Sequence, residues 1–349
     1  MEAETGHFTQ ETTRNFPVPL AYTCDPTTAN ITCANRYASY LPPTFPRDPD
    51  PSIGYTDTKV PDDPSWKLVR NAEFALFDKE RGLEVFGRAP KIARGIIWWL
   101  NVIHEVPVFV PEMNGLFVTQ DGPPGNMSIL RLDLSQDLPT HGKNSSLSQH
   151  AGIFRFDPKT LEAEWLLNNY HGFNFAGPNE LALAPLTGDI WITDIDYAYA
   201  MSVSDAPKQI QFATLQYPNG IQFSHDGVTL YIAGPGLKSY SPVAIRGAGD
   251  FYNCDIYIQF NSTAARTVFA LEGAPDGLKA AHNGYLVITG GLAPGVDITD
   301  GFGNQIARVQ TSHPVKNIEW SGDDLNTLWL VGINGITKVE FDLNGPNLS

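Results

Sequence analysis

One phrase recurs along this chain, and each copy carries an oxygen donor near its start. Pro178-Asn-Glu-Leu-Ala-Leu-Ala-Pro-Leu-Thr-Gly188, Pro218-Asn-Gly-Ile-Gln-Phe-Ser-His-Asp-Gly227 and Pro275-Asp-Gly-Leu-Lys-Ala-Ala-His-Asn-Gly284 share one order: proline, Asn or Asp, an alternating strand, a turn closing on glycine. His104-Glu-Val-Pro-Val-Phe-Val-Pro-Glu-Met-Asn-Gly115 fits with extra turn residues, and Lys316-Asn-Ile-Glu-Trp-Ser-Gly-Asp-Asp is a weaker fifth copy. The equivalent positions are then Glu105, Asn179, Asn219, Asp276 and, in the weak copy, Asn317. Carboxylates and amide oxygens are hard donors, and calcium accepts about six to eight of them in flexible geometry. Zinc would need closely spaced His and Cys, which the sequence lacks. A single Asn or Asp before glycine reads as a turn former. Repetition in one register points instead to a shared polar centre.

Such a centre needs elements that bring distant segments together. After each phrase comes a strongly apolar run: Gly115-Leu-Phe-Val, Asp189-Ile-Trp-Ile, Thr229-Leu-Tyr-Ile, Tyr285-Leu-Val-Ile and Thr327-Leu-Trp-Leu. The later runs return at roughly 40 to 55 residues, a spacing typical of propeller blades. A single hairpin cannot bury both of its faces, so the copies must stack around an axis. Their first strands then line a central channel, and equivalent positions face one another. No long stretch has helical periodicity.

Other residues are weaker candidates. Lys279 follows Asp276 by three and could flank the pocket as a cation. Asp194, Asp196, Tyr197 and Tyr199 follow an apolar strand and could form its rim, although Tyr there is as often packing. Strand alternation turns His104 away from Glu105. His171 and His225 fall in or near turns. No Gly-x-Ser-x-Gly elbow or phosphate-binding loop is present.

Composition narrows the setting. The chain has 349 residues, 42% of them hydrophobic and only 17% charged, with 31 Gly and 27 Pro, as suits short strands and tight turns. A net charge of -15 without a Lys/Arg run argues against nucleic acid and against anionic membrane surfaces. The longest apolar stretch, near 95–110, includes Asn101, His104 and Glu105 and is no membrane span. Residues 1–66 are rich in Pro, Thr and Asp and read as an ordered arm ahead of a domain over 67–349; a disordered tail is the alternative. Cys24 and Cys33 flank a short loop within the arm, with Cys254 distant. A Cys24–Cys33 bridge is expected, against the alternative of three reduced thiols. The sequons at Asn30, Asn126, Asn144 and Asn261, with that cysteine pair, favour the secretory pathway, although no signal peptide is visible.

The phrases around Asn179, Asn219 and Asp276 resemble the SMP-30/gluconolactonase/lactonohydrolase family of six-bladed propellers. His104-Glu-Val-Pro-Val-Phe-Val-Pro is similar to the first-blade strand of its fungal lactonohydrolases. The resemblance runs from about residue 95 to the C-terminus. It implies an all-β, six-bladed β-propeller with calcium ligands at Glu105, Asn219 and Asp276, Asn179 on metal or substrate, and no organic cofactor. In hydrolases of the family the residue matching Asp276 acts as base, while the metal polarises the lactone carbonyl.

Departures from the family pattern are visible. Its usual Asn-Asp reads Asn179-Glu180 here, Lys279 stands where a His is frequent, and the stretch from Leu132 to Asn179 looks too short for an extra inner strand pair. Divergent fungal members include hetero-Diels–Alderases of tropolone–sesquiterpenoid pathways, which orient an o-quinone methide and an alkene and polarise the diene oxygen. A rebuilt pocket leans toward such a cyclase, with Asp276, Asn179 and Lys279 as catalytic groups and Asn179, Tyr197, Tyr199 and Asn317 against a small-molecule substrate. A calcium-dependent lactone hydrolase is the alternative, and a non-catalytic ligand-binding propeller a third. Oligomeric state is not legible.

Overall fold

The structure is a computed structural model that describes residues 22–23, 31–33, 71–93, 107–120, 127–135, 141–147, 152–170, 172–175, 177–194, 199–203, 208–211, 218–234, 249–255, 266–271, 275–291, 293–301 and 303–346. Strands dominate, and five sheets have four or more of them among the described residues. The first sheet holds Val108–Val110, Gly115–Gln120, Met127–Asp133 and His141–Leu147. Next come Pro178–Leu183, Ile190–Asp194, Tyr199–Val203 and Lys208–Gln211, then Ile221–Phe223, Thr229–Gly234, Gly249–Asp255 and Arg266–Leu271. The fourth contains Leu278–Ala280, Leu286–Thr289, Pro294–Thr299 and Gln305–Pro314, and the fifth Asn317–Ser321, Thr327–Gly332 and Gly335–Glu340. Two smaller hairpins, over 153–167 and 169–174, lie between the first and second sheets in sequence.

The recurring phrase explains the hairpins. Ser224 N donates to Thr229 O at 2.8 Å, and Ala281 N to Tyr285 O at 2.7 Å, closing equivalent turns. These turns need a left-handed residue, which the glycines supply: Gly188, Gly227, Gly284 and Gly322 have φ of 74, 69, 82 and 87°. Side chains tighten them, as when Asp226 Oδ1 accepts from Val228 N at 3.1 Å and Asn283 Oδ1 from Tyr285 N at 3.1 Å.

The sheets meet through their first strands. Pro178–Leu183 contacts Ile221–Phe223, which contacts Leu278–Ala280, then Asn317–Ser321, then Val108–Val110. Backbone bonds cross two of these junctions: Gly220 N donates to Asp276 O and Gly277 N to Lys316 O, both at 2.9 Å. This radial arrangement is that of a β-propeller.

Segments early in the chain complete the late sheets. Phe74–Leu76 pairs antiparallel with Gln305–Pro314, and Ile31–Cys33 runs parallel beside it, paired in turn with Tyr22–Thr23. Lys91–Ala93 forms the outer strand on Gly335–Glu340. Between these edges lies an eight-residue helix, Lys79–Phe86, capped by Asp78, whose carboxylate accepts from Arg81 N, and ended by Gly87 at φ 64°. Its Phe86 meets Phe74 edge-on at 4.9 Å and Phe341 at 6.1 Å. That ring joins a core with Leu76, Ile298, Val309, Leu330 and Val339. Burying one such phenylalanine is worth about 1.5–3 kcal/mol.

Candidate functional site

Hydrogen-bond register fixes which residues are equivalent at the head of each first strand. Asn219 N donates to Ala233 O at 2.7 Å, Asp276 N to Thr289 O at 3.2 Å and Lys316 N to Val331 O at 2.8 Å. The residue matching Asn219 and Asp276 is therefore Lys316, not Asn317 as the sequence copies suggest. Asn317 falls one step on, at the level of Gly220 and Gly277. It is wholly buried, and its Oδ1 accepts from the backbone N of Ile318 at 2.8 Å. Its partner position in the neighbouring sheet must be glycine: a Cβ on Gly277 would lie 2.5 Å from that Oδ1. Likewise a Cβ on Gly220 would lie 2.3 Å from Asp276 O and 3.0 Å from Glu180 Oε2. These two glycines let the first strands approach closely enough to share a centre.

Around that centre lie oxygens of a consistent type. Asn179 Oδ1 and Asn219 Oδ1 are buried and accept no hydrogen bond among the described residues. Asp276 is 4% exposed, and its Oδ2 accepts from Lys316 Nζ at 3.0 Å. An amide oxygen withdrawn from water loses solvation unless a donor or cation replaces it. Two such oxygens beside a carboxylate are the donor chemistry of a hard divalent cation. The residues thus fit the metal expected from the sequence. Glu105, the further ligand of that expectation, lies outside the described residues. No cluster of three or more His, Cys, Asp or Glu is found among the described residues.

A second charged layer lies beside these positions, one residue beyond Asn179 and three residues beyond Asp276 and Lys316. Lys279 Nζ lies 3.5 Å from Glu180 Oε1 and 3.7 Å from Glu319 Oε2, so the contact spans the second, fourth and fifth sheets. Burial works against the Lys279 ammonium, but the carboxylates of Glu319 and Glu180 outweigh it and hold its pKa above the usual lysine value. Burial pushes the Glu319 carboxyl above the usual carboxylate range, opposed by Lys279 and by the backbone N of Trp320. A lysine held charged in this way is poorly suited to act as base or nucleophile. Lys279 is a fixed cation between these two carboxylates.

Sequence reasoning did not single out Glu319 and Lys316 as site residues, and Glu180 entered only as a departure. Strand alternation offered one signal: Lys279 and Glu319 stand at matching steps after Asp276 and Lys316. Other candidates are placed as follows. Asp194 is fully buried and accepts from Gly177 N at 2.9 Å, anchoring the approach to Asn179 rather than forming a rim. Tyr199 opens the third strand of its sheet, paired with Asp194 and Gln211; its side chain lies outside the described residues. Tyr197, Asp196, His104 and His171 also lie outside them. His225 is exposed in its turn. Cys33 is buried on its strand, while Cys24 lies outside the described residues, as do Asn30, Asn126, Asn261 and the side chain of Asn144.

The comparisons with known proteins bear on the fold and the family. Lactonohydrolase oryL of Aspergillus oryzae is 27% identical, in a match covering 90% of this chain and 86% of that one. A gluconolactonase from Xanthomonas campestris superposes with a TM-score of 0.59 at 17% identity, covering 75% of this chain and 92% of that one. Regucalcin from Agrobacterium tumefaciens, described as a calcium-binding protein, gives 0.56 at 16%, covering 72% and 94%. At these identities the two structures speak to fold alone. The sequence pattern described as SMP-30/Gluconolactonase/LRE-like region matches residues 137–334, more than half of the chain, and the chain belongs to that family.

Proposed function

We propose that this protein is a lactone hydrolase working in the axial cavity of a six-bladed propeller. The observation that carries the reading is that Asn179, Asn219 and Asp276 stand at the heads of first strands that contact one another in series, with both amide oxygens buried and no donor for them among the described residues. The names of its relatives, lactonohydrolase and gluconolactonase, support the reaction class. The calcium-binding neighbour supports a hard cation.

Asn219 and Asp276, with Glu105, would hold that ion. When bound, it supplies Lewis-acid polarisation of a substrate carbonyl. The chain's own groups do the rest. Asp276 takes a proton from the attacking water at a carboxylate oxygen. Water oxygen bonds to the carbonyl carbon, the ring C–O bond breaks, and the departing alkoxide takes that same proton from Asp276 to become a hydroxyl. Asn179 orients the substrate, and the Glu180–Lys279–Glu319 layer gives the pocket a polar wall. A panel of aliphatic and aromatic lactones tests this. Hydrolysis should be lost on chelation and should fall about 100-fold or more in Asp276→Asn. Full activity in that variant would reject Asp276 as base.

The changed wall supports a second reading, a hetero-Diels–Alderase-type cyclase. Lys316 and Lys279 place ammonium groups among the oxygens, and a cycloaddition needs no base. A cyclase would ignore simple lactones and tolerate Asp276→Asn, but change the product ratio from an o-quinone methide generated in place. A ligand-binding propeller would turn over neither substrate. Secretion, glycosylation at Asn30, Asn126, Asn144 and Asn261, and a Cys24–Cys33 bridge complete the proposal. An endoglycosidase mobility shift and a mass measurement under non-reducing conditions test them. Among the described residues no helix is long and apolar enough to cross a membrane.

A further inference from the structure

We infer that Lys316 is a resident cation of the axial site, competing with a divalent ion for Asp276 and so setting the metal affinity of this chain. The inference rests on the metal-site reading above and goes beyond it. Lys316 occupies the register position in the fifth sheet that Asn219 and Asp276 hold in the third and fourth, where each of those supplies oxygen and Lys316 supplies a positive charge. Its ammonium lies 3.0 Å from Asp276 Oδ2, with side chains only 14% and 5% exposed.

The root of this lysine cannot drift. Its N–H donates to Val331 O at 2.8 Å, and its carbonyl accepts from Gly277 N at 2.9 Å and from the Thr289 hydroxyl at 2.9 Å. Only rotation of the side chain can carry the ammonium off Asp276. Lys279, the nearby second lysine, is engaged in the layer of Glu180 and Glu319. Lys316 is thus the ammonium that meets Asp276 among the described residues.

Calcium bonds carboxylate oxygen at about 2.3–2.6 Å. An ammonium already at hydrogen-bond distance from the same carboxylate would stand within a few ångströms of that ion. Two positive charges so close among side chains this withdrawn from water repel strongly, so metal entry requires Lys316 to swing aside. The repulsion and the lost ion pair both weaken binding. An uncharged side chain of similar length removes both.

Calorimetric titration of calcium chloride into the intact protein tests this, using wild type, Lys316→Met and Lys316→Arg. Lys316→Met should bind calcium at least about tenfold more tightly than wild type, whereas Lys316→Arg should not. The calcium-induced rise in melting temperature should follow the same order. Lys316→Gln serves as a second neutral variant if Lys316→Met folds poorly, which circular dichroism reports. Wild type and neutral variant binding calcium equally would overturn the inference while leaving the metal site intact. Millimolar calcium binding to none of them, with lactone hydrolysis that resists chelation, would remove the metal-site reading and the inference together.

Discussion

The hydroxyl of Thr193 donates to the carbonyl of Asn219 at 2.6 Å, tying the second strand of one sheet to the first strand of the next. Thr289 repeats the link one junction further on, to the carbonyl of Lys316 at 2.9 Å. Both threonines are fully buried. Valine has nearly the same shape without the hydroxyl. Thr193→Val should therefore cost about 1–3 kcal/mol by leaving a buried carbonyl short of a donor, read as a lower urea midpoint. Thr289→Val should cost less, because the Lys316 carbonyl keeps its bond from Gly277 N at 2.9 Å. A Thr193→Val protein as stable as wild type would show the link to be incidental.

Gly220→Ala should be more damaging than Gly284→Ala. The first substitution drives a methyl group into Asp276 O and Glu180 Oε2, whereas around the second no atom lies within 4 Å and only its φ of 82° is strained. Forcing atoms into a packed junction costs about 1–3 kcal/mol or more, and a left-handed alanine about 1–2 kcal/mol. The first variant should also lose activity, because widening the junction displaces Asp276. Urea melts of the two proteins, with lactone turnover, measure both effects.

Lys279→Met should destabilise the protein by about 3 kcal/mol. It removes the cation between Glu180, whose side chain is 1% exposed, and Glu319, and breaking a buried ion pair exposes such a cost. Adding Glu319→Gln should restore part of the loss by removing one of the like charges. A double variant no more stable than Lys279→Met would show that the two carboxylates do not repel across this gap.

Stability should also fall in mildly acidic solution through His313. Burial lowers its pKa below the usual 6.5, only partly offset by the carbonyl of Pro314. The ring also sits 3.0 Å from the Thr337 hydroxyl. A histidine whose folded pKa is depressed favours the folded state fully above its unfolded pKa. That contribution is lost as pH falls below 6.5 toward the folded value. Melting temperatures should thus decline between about pH 7 and pH 5, and His313→Gln should flatten the decline. An unchanged slope would assign the effect to other groups.

Much of this arrangement was legible in the sequence. The order of proline, oxygen donor, strand and glycine located three neighbouring first strands and their turns correctly, because each copy is a local hairpin with local rules. The fifth copy slipped by one residue for a physical reason. Phe223 pairs with Leu230 and Ala280 with Leu286, but Trp320 pairs with Leu328 across a longer turn. Leu325, at φ 51°, helps that turn absorb the added length. Counting therefore put Asn317 where the ladder puts Lys316. The contact of Lys279 with Glu180 was illegible for a different reason: it joins sheets that are not neighbours in the series, and only the packing of the first strands brings them within reach. The helix at Lys79–Phe86 is too short to show periodicity, although its Asp78 and Gly87 boundaries are conventional ones.

The strand Lys91–Ala93, hydrogen-bonded to Gly335–Glu340, makes the fifth sheet a joint product of an early and a late segment. During synthesis the early segment must wait, unpaired, until nearly all the remaining sheets have emerged. Contacts this remote in sequence are slow to form, and a waiting edge is open to adhesion by other chains. Yield from the cell should thus depend on chaperone supply and growth temperature more steeply than the equilibrium stability of the folded protein would suggest.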